Sequence, residues 1–258
     1  MCTVSSTCWS SFKAWLSAKA DQKPHIIAAQ EHKLTQQQDI DEAADFLGSA
    51  GYTSIWTKAT TGDGGGPAGG TFVAAVPELG LHRPRAKGHE SWSDRLTAGQ
   101  VAIPGCGKLL VASCYGDQEG MRGANPQMLS PLPRLAEATR LPILVGGDFN
   151  MEPHQVQKTG LLRKAGLELL APKLCTCITN SWKSASKIDY FLASEGLHKA
   201  MQEPAAILCQ GLATHRPVEM AFVSPVEPTY MEAWLSDWTP LHNSWRQDPC
   251  DGLRHAQL

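Results

Sequence analysis

Hydrophobic residues in this chain gather in short uninterrupted runs. Ile26-Ile27-Ala28-Ala29, Phe72-Val73-Ala74-Ala75-Val76, Leu109-Leu110-Val111-Ala112 and Ile143-Leu144-Val145 are each bounded by polar residues, Pro or Gly. Runs of this length with such borders read as strands buried on both faces. The pattern predicts strands over 25–30, 52–56, 71–76, 100–103, 108–115, from Leu141 to Asn150, and 187–193, with late candidates at 205–209 and 218–223. Helical spacing appears in fewer places. Phe12, Trp15 and Leu16 share one face behind Ser10-Ser11 as a cap, and Ile40, Ala43, Ala44 and Leu47 share one within 36–50. A shorter helix is expected within 128–139, cut by Pro131 and Pro133, and 154–170 reads as helical or mixed. Residues 1–7 offer at best a clipped edge strand. Strand–helix and strand–turn–strand connections alternate irregularly, which predicts α/β layers around mixed sheets.

Glycines cluster at 62–70 ahead of the strand at Thr71. A phosphate-cradling loop would continue into Lys-Ser/Thr, which is missing, so this stretch reads as a hairpin connection.

Composition narrows the function classes. The 258 residues carry a formal net charge of -2, with 42% hydrophobic and 19% charged residues. That is ordinary globular chemistry, long enough for a substantial core and without a global basic field. A nucleic-acid ligand therefore requires a local patch, for which Lys58, Arg83, Arg85, Lys87 and Arg95 are candidates, with Trp92 available to stack a base. The eight cysteines are irregularly spaced and form no zinc-binding pair. No run reaches membrane-spanning length and the first residues have no apolar signal region, so an intracellular setting, nuclear or cytoplasmic, is expected.

Polar groups stand where the buried runs end. Glu31 follows the strand ending at Gln30, Asp148 and Asn150 follow Gly146-Gly147, Asp189 sits inside an apolar strand, and His215 precedes Pro217. On this strand Asp148 and Asn150 are expected to share a face, with Phe149 turned into the core. The glycines would let the backbone turn sharply or approach a ligand. Singly, each residue is an ordinary turn, surface or backbone-pairing residue.

Taken in order, however, Ile27-Ala28-Ala29-Gln30-Glu31, Gly146-Gly147-Asp148-Phe149-Asn150, Ile188-Asp189-Tyr190-Phe191-Leu192 and Thr214-His215-Arg216-Pro217-Val218 resemble the endonuclease/exonuclease/phosphatase superfamily. The resemblance runs from about Cys8 to Val223. It implies a DNase I-like four-layer α/β sandwich, two mixed β-sheets flanked by helices, spanning residues 1–224, with 225–258 as a Trp- and Pro-containing tail. It also implies magnesium or manganese, with Glu31 as metal ligand, since such cations take oxygen donors and need only one or two carboxylates. Asp148 would activate a water, Asn150 would hold it or a phosphate oxygen, and His215, oriented by Asp189, would stabilise developing charge. Tyr115 and Asn125 fall where the family contacts phosphate; Arg95 and Trp92, from the basic patch and its stacking aromatic, are the further substrate-binding candidates.

Two positions depart from the family pattern. Thr214 stands where the family has a metal-binding Asp, and a neutral hydroxyl there predicts weaker metal binding. The family's Asn at the end of the first strand has no counterpart, leaving Ser5, Ser6 or Thr7 in its region.

The expected activity is metal-dependent phosphodiester hydrolysis, most simply a nuclease, with DNA favoured over RNA. The alternatives are a catalytically impaired binding module, or a phosphatase acting on a small phosphorylated molecule or lipid headgroup. In the tail, Trp234, Leu235 and Trp238 lie at helical spacing, ready to pack on the domain or meet a partner. Endonuclease domains of retroelement polyproteins look similar and continue into further sequence.

Overall fold

The structure is a computed structural model; it describes residues 1–5, 9–19, 23–62, 65–84, 94–117, 129–178, 184–207, 212 and 214–222. The chain runs β1 (Cys2–Ser5), α1 (Trp9–Ala18), β2 (Ile26–Gln30), α2 (Gln37–Ser49), β3 (Thr53–Thr57), β4 (Thr60–Thr61), β5 (Pro67–Ala68) and β6 (Thr71–Ala75). It continues through β7 (Leu96–Ile103), β8 (Gly107–Tyr115), α3 (Pro131–Thr139), β9 (Ile143–Asp148), α4 (Pro153–Lys158), α5 (Leu161–Lys164) and β10 (Leu167–Leu170). The described part closes with β11 (Cys177–Ile178), β12 (Ala185–Ser186), β13 (Asp189–Ser194), α6 (Glu195–His198), β14 (Ala205–Ala206) and β15 (Val218–Glu219).

Among the described residues two mixed sheets form, one ordered β14-β15-β1-β2-β6-β3 and the other β10-β13-β9-β8-β7. Alternation along each strand divides its side chains between two faces. Ile26, Val73, Val111, Leu144 and Phe191 point between the sheets and build the central core. Ile27, Phe72 and Ala74 point outward beneath Phe12, Trp15, Leu16 and Leu47 of α1 and α2. Leu110, Val145 and Leu192 point the other way, beneath Leu132, Leu135 and Val156 of α3 and α4. The result is helices, sheet, sheet, helices: the four-layer α/β sandwich. Strands covered on both faces are why the sequence shows unbroken apolar runs instead of alternation.

Several elements differ from the sequence reading. β1 is no clipped edge; it lies between β15 and β2, parallel to β2, with Cys2, Thr3 and Val4 buried. Four residues are too few to show periodicity. Helix α1 starts at Trp9, so Ser10 lies inside it and does not cap it. Pro131 and Pro133 occupy the first turn of α3 and open the helix where an N–H has no partner anyway. β7 begins at Leu96, four residues earlier than expected, because its polar Thr97 is buried and bonded to Thr71 across the sheets. The 154–170 stretch resolves into α4, α5 and β10. The residues 61–70 do form a hairpin connection, with β4 paired to β5. No helix of the described residues is long and apolar enough to cross a membrane.

Candidate active site

Strand parity and register build the site. Tyr115 of β8 pairs with Asp148 of β9, and Asp148 pairs with Asp189 of β13. Tyr115 lies two residues beyond Ser113, Asp148 four beyond Leu144, and Asp189 two before Phe191. All three therefore share the inward face and form one row at the end of the second sheet. From the first sheet, Gln30 donates through Nε2 to Ser113 Oγ at 2.8 Å, and Ser113 Oγ donates to Ala29 O at 2.7 Å. This buried link fastens β2 against β8 and holds Glu31, the next residue, over the row. The expected closeness of the strand-end residues is thus a consequence of register.

His215 reaches the row from outside both sheets. The segment Thr214–Arg216 runs beside Cys175–Ile178: Ile178 N donates to Thr214 O at 2.9 Å, and Arg216 N donates to Thr176 O at 2.7 Å. Thr176 is fully buried, and its hydroxyl accepts the N–H groups of Ile188 and Asp189 at 3.1 and 3.0 Å. One threonine thereby sets both the His215 segment and the start of β13. His215 Nδ1 lies 3.0 Å from both oxygens of Asp189, and Nε2 lies 3.8 Å from Asp148 Oδ2. Burial lowers the affinity of His215 for its proton, but the charge and hydrogen bond of Asp189, a bond to Cys177 and the charge of Asp148 outweigh it. The pKa rises to about 12, so the imidazole is a cation between two carboxylates.

Asp148 is shifted upward as well, chiefly by burial. Burial first, then the charge of Asp189 and more weakly that of Glu31, push its carboxyl up to about 7. His215 and the N–H of Asn150 act against that rise. The shared strand face proposed for Asp148 and Asn150 is not how they meet. β9 ends at Asp148, and Asn150 has left-handed backbone at φ 49°. Its N–H donates to Asp148 Oδ1 at 3.1 Å, a side-chain-capped turn that Asn tolerates well. Phe149 is fully buried, as expected. Gly146 and Gly147 lie inside β9 and do not turn the chain. A Cβ at Gly147 would fall 2.5 Å from Cys114 O, so the glycine serves close packing between β9 and β8.

Gly116 organises the neighbouring loop. Its carbonyl accepts from Asn150 Nδ2 at 2.9 Å and from Arg95 at 3.1 Å, and its N–H donates to Asp148 O at 2.6 Å. The Arg95 guanidinium lies 5.0 Å from the Tyr115 ring centroid. Burial, then the charges of Glu31 and Asp148 and a bond to Glu31, hold the Tyr115 phenol well above its ordinary pKa, so it stays a hydrogen-bond donor.

Glu31 sits on strained backbone. Glu31 and Lys33 both adopt left-handed conformations, φ 61° and 60°, at a cost of about 1–2 kcal/mol each. His32 N and Lys33 N bond to Gly70 O and Gly69 O, which fixes the kink. Lys33 Nζ stands 3.4 Å from Glu31 Oε1. Strain of this kind persists only where surrounding bonds over-determine it, and it concentrates at working sites.

A sequence profile of the Endonuclease/Exonuclease/phosphatase family matches residues 8–204, more than half of the chain. The chain belongs to that family. Among solved structures, the endonuclease domain of TRAS1, a telomere-specific non-LTR retrotransposon, superposes with TM-score 0.62 at 14% identity, covering 86% of this chain and 97% of that one. The AP endonuclease LMAP from Leishmania major gives 0.65 at 14% identity, covering 87% of each chain. ANGEL2, a 2′,3′-cyclic phosphatase solved with adenosine-2′,3′-vanadate, gives 0.57 at 15%, covering 82% of this chain and 85% of that one. At identities this low the superpositions establish the shared DNase I-like fold alone. No curated protein matches the chain by sequence.

For an Endonuclease/Exonuclease/phosphatase protein, whose relatives usually use divalent metals, the donor set matters. Asp148, Asp189 and His215 offer ligand atoms within 4.8 Å of one another. His215 is a poor ligand, since Nδ1 is committed to Asp189 and the ring holds both protons. The carboxylates fit better: Glu31 is half-buried and coupled to Asp148, and the elevated Asp148 pKa marks negative charge short of compensation. Glu31 and Asp148 offer hard carboxylate oxygens suited to Mg²⁺ or Mn²⁺. Asn125 and Trp92 lie outside the described residues, as do Arg85, Lys87, Ser6 and Thr7. Thr176, Lys33, Gly116 and Cys177 were not singled out from sequence.

Proposed function

We propose that this protein hydrolyses phosphodiesters in nucleic acid, with DNA as the favoured substrate, at the Asp148–His215 centre. The observation that carries this reading is the pairing of two groups that both hold their protons more tightly than usual, a carboxylate poised near neutrality and a cationic imidazole 3.8 Å away. Perturbed acid–base pairs facing one another assign the base and the charge-stabilising roles.

In this reading Asp148 orients a water and takes its proton as oxygen attacks phosphorus. A pKa near 7 lets it ionise at neutral pH while remaining basic enough to accept that proton. His215 donates from Nε2 to a non-bridging oxygen as charge accumulates there, and Asp189 holds the ring by Nδ1. Asn150 has one amide hydrogen committed to Gly116 O, leaving its other hydrogen and its carbonyl for the water or phosphate. The protonated Tyr115 hydroxyl donates to a phosphate oxygen. A divalent cation held by Glu31, with Asp148 and Thr214 beside it, would supply charge neutralisation at the phosphate. Arg95, and Lys58 beyond the end of β3, supply cations for the strand.

The names of two of the relatives described above, both endonucleases, support nucleic acid; ANGEL2 keeps phosphatase chemistry as the neighbouring possibility. The test is Mg²⁺- or Mn²⁺-dependent cleavage of plasmid, abasic duplex and single-stranded DNA. Asp148→Ala and His215→Ala must each abolish cleavage, and equal rates in those variants would sink the assignment. Thr214 supports a second reading, a metal-poor family member that binds phosphoesters without turning them over. Calorimetry separates the two: tight Mg²⁺ binding excludes the second.

A further inference from the structure

At the end of the sandwich opposite Asp148, the space between the sheets stays open. A cavity of about 890 Å³ lies there, walled by Met1, Ile26, Val76, Ile103, Met220 and Phe222 among others. Ile26 begins β2 and Glu31 follows its end, so about 16 Å of strand separates this groove from the site described above. Met1, Val76, Ile103 and Phe222 pack against the central core yet are only partly buried. Among the described residues the groove is therefore an uncovered end of the core itself, and water there gains few hydrogen bonds.

Phe222 is the last described residue before 223–258, so that segment leaves the domain from the wall of the groove. Its sequence carries Met231, Trp234, Leu235 and Trp238 at i, i+3, i+4 and i+7, with Glu232, Ser236 and Asp237 between them and Pro240 following. That spacing predicts one short amphipathic helix with an aromatic face. Residues 223–230 contain Pro225 and Pro228 and reach about 25 Å when extended, enough to return over the groove. A tether this short holds the stripe at an effective concentration on the order of millimolar, far above that of a partner in solution.

We propose that the groove is the seat of this chain's own segment 226–241, which lays Met231, Trp234, Leu235 and Trp238 over Val76, Ile103 and Phe222 and closes the core. The experiment uses the full chain with photo-crosslinking p-benzoylphenylalanine in place of Glu78 or Gln202, both exposed on the groove's rim. The control carries the probe in place of Arg163, exposed on α5 of the outer helical layer. On irradiation of the monomer, rim probes are expected to form intramolecular adducts with peptides from 226–241, and the Arg163 probe none. Trp234→Ala combined with Trp238→Ala should reduce those adducts at least about tenfold, because buried aromatic anchors dominate such contacts. Circular dichroism of the double variant beside the unsubstituted chain tells loss of the contact from loss of the fold. Equal adducts from the Arg163 position, adducts unchanged by the double substitution, or no adduct at all overturn the proposal. Adducts found only between two chains overturn it too, and assign the groove to a second copy.

Discussion

Asp148 and Asp189 stand directly opposite each other on antiparallel strands, both buried, with exposures of 2% and 1%. Like charges at paired positions repel, and here the repulsion is held in place by one imidazolium. The electrostatics of the site follow from that unfavourable pair.

Asp148→Asn should abolish hydrolysis while stabilising the fold at pH 8. The native carboxyl, pushed up to about 7, binds a proton that the unfolded chain has already lost between its ordinary value and 7. Stability therefore declines as pH rises through that window, and the amide escapes the loss. Thermal unfolding from pH 4 to 8 should show the variant's advantage growing with pH by as much as a few kcal/mol. A variant less stable at pH 8 would assign Asp148 a structural role.

Asp189→Asn should lower the pKa of His215 toward the ordinary imidazole range, read from the ring proton shifts by NMR. Because ring orientation is lost with the charge, kcat should fall by about 10²–10⁴. An unmoved His215 titration would contradict the coupling.

His32 gives the acid side of the stability profile. Burial drops its pKa to about 4, with Nε2 donating to Thr57 O and Nδ1 accepting from Leu34 N. The folded state resists a proton that the unfolded state accepts below about 6.5, so stability is lost as pH falls from that value toward 4. The contribution is on the order of 3 kcal/mol, and His32→Asn should flatten that limb of the unfolding free energy in urea.

Two glycines should respond oppositely to Ala. At Gly116 a Cβ collides with the Phe149 carbonyl, so Gly116→Ala should cost about 1–3 kcal/mol and displace Asn150, lowering hydrolysis as well. At Gly48, within α2, a Cβ meets nothing, and Gly48→Ala should stabilise by about 0.5–1 kcal/mol. Chemical denaturation of both variants checks the pair.

Thr214→Asp should tighten Mg²⁺ binding by about tenfold in calorimetry, by adding a hard anionic donor. Unchanged affinity would remove Thr214 from the metal's surroundings.

By itself the sequence determined the buried strands of β2, β6, β8, β9 and β13, because strands covered on both faces must be apolar along their whole length. It also determined which polar residues close those runs, since Glu31, Asp148 and Asp189 break the pattern where burial would otherwise forbid them. Only tertiary structure decided how they meet. The row from Tyr115 through Asp148 to Asp189 depends on strand register, the placement of His215 depends on backbone pairing with Thr176 and Ile178, and Asn150 arrives through a left-handed turn. β1 became central although its four residues carry no period. Pairing between distant segments supplies the energy for each of these choices, and no local window of sequence contains both partners.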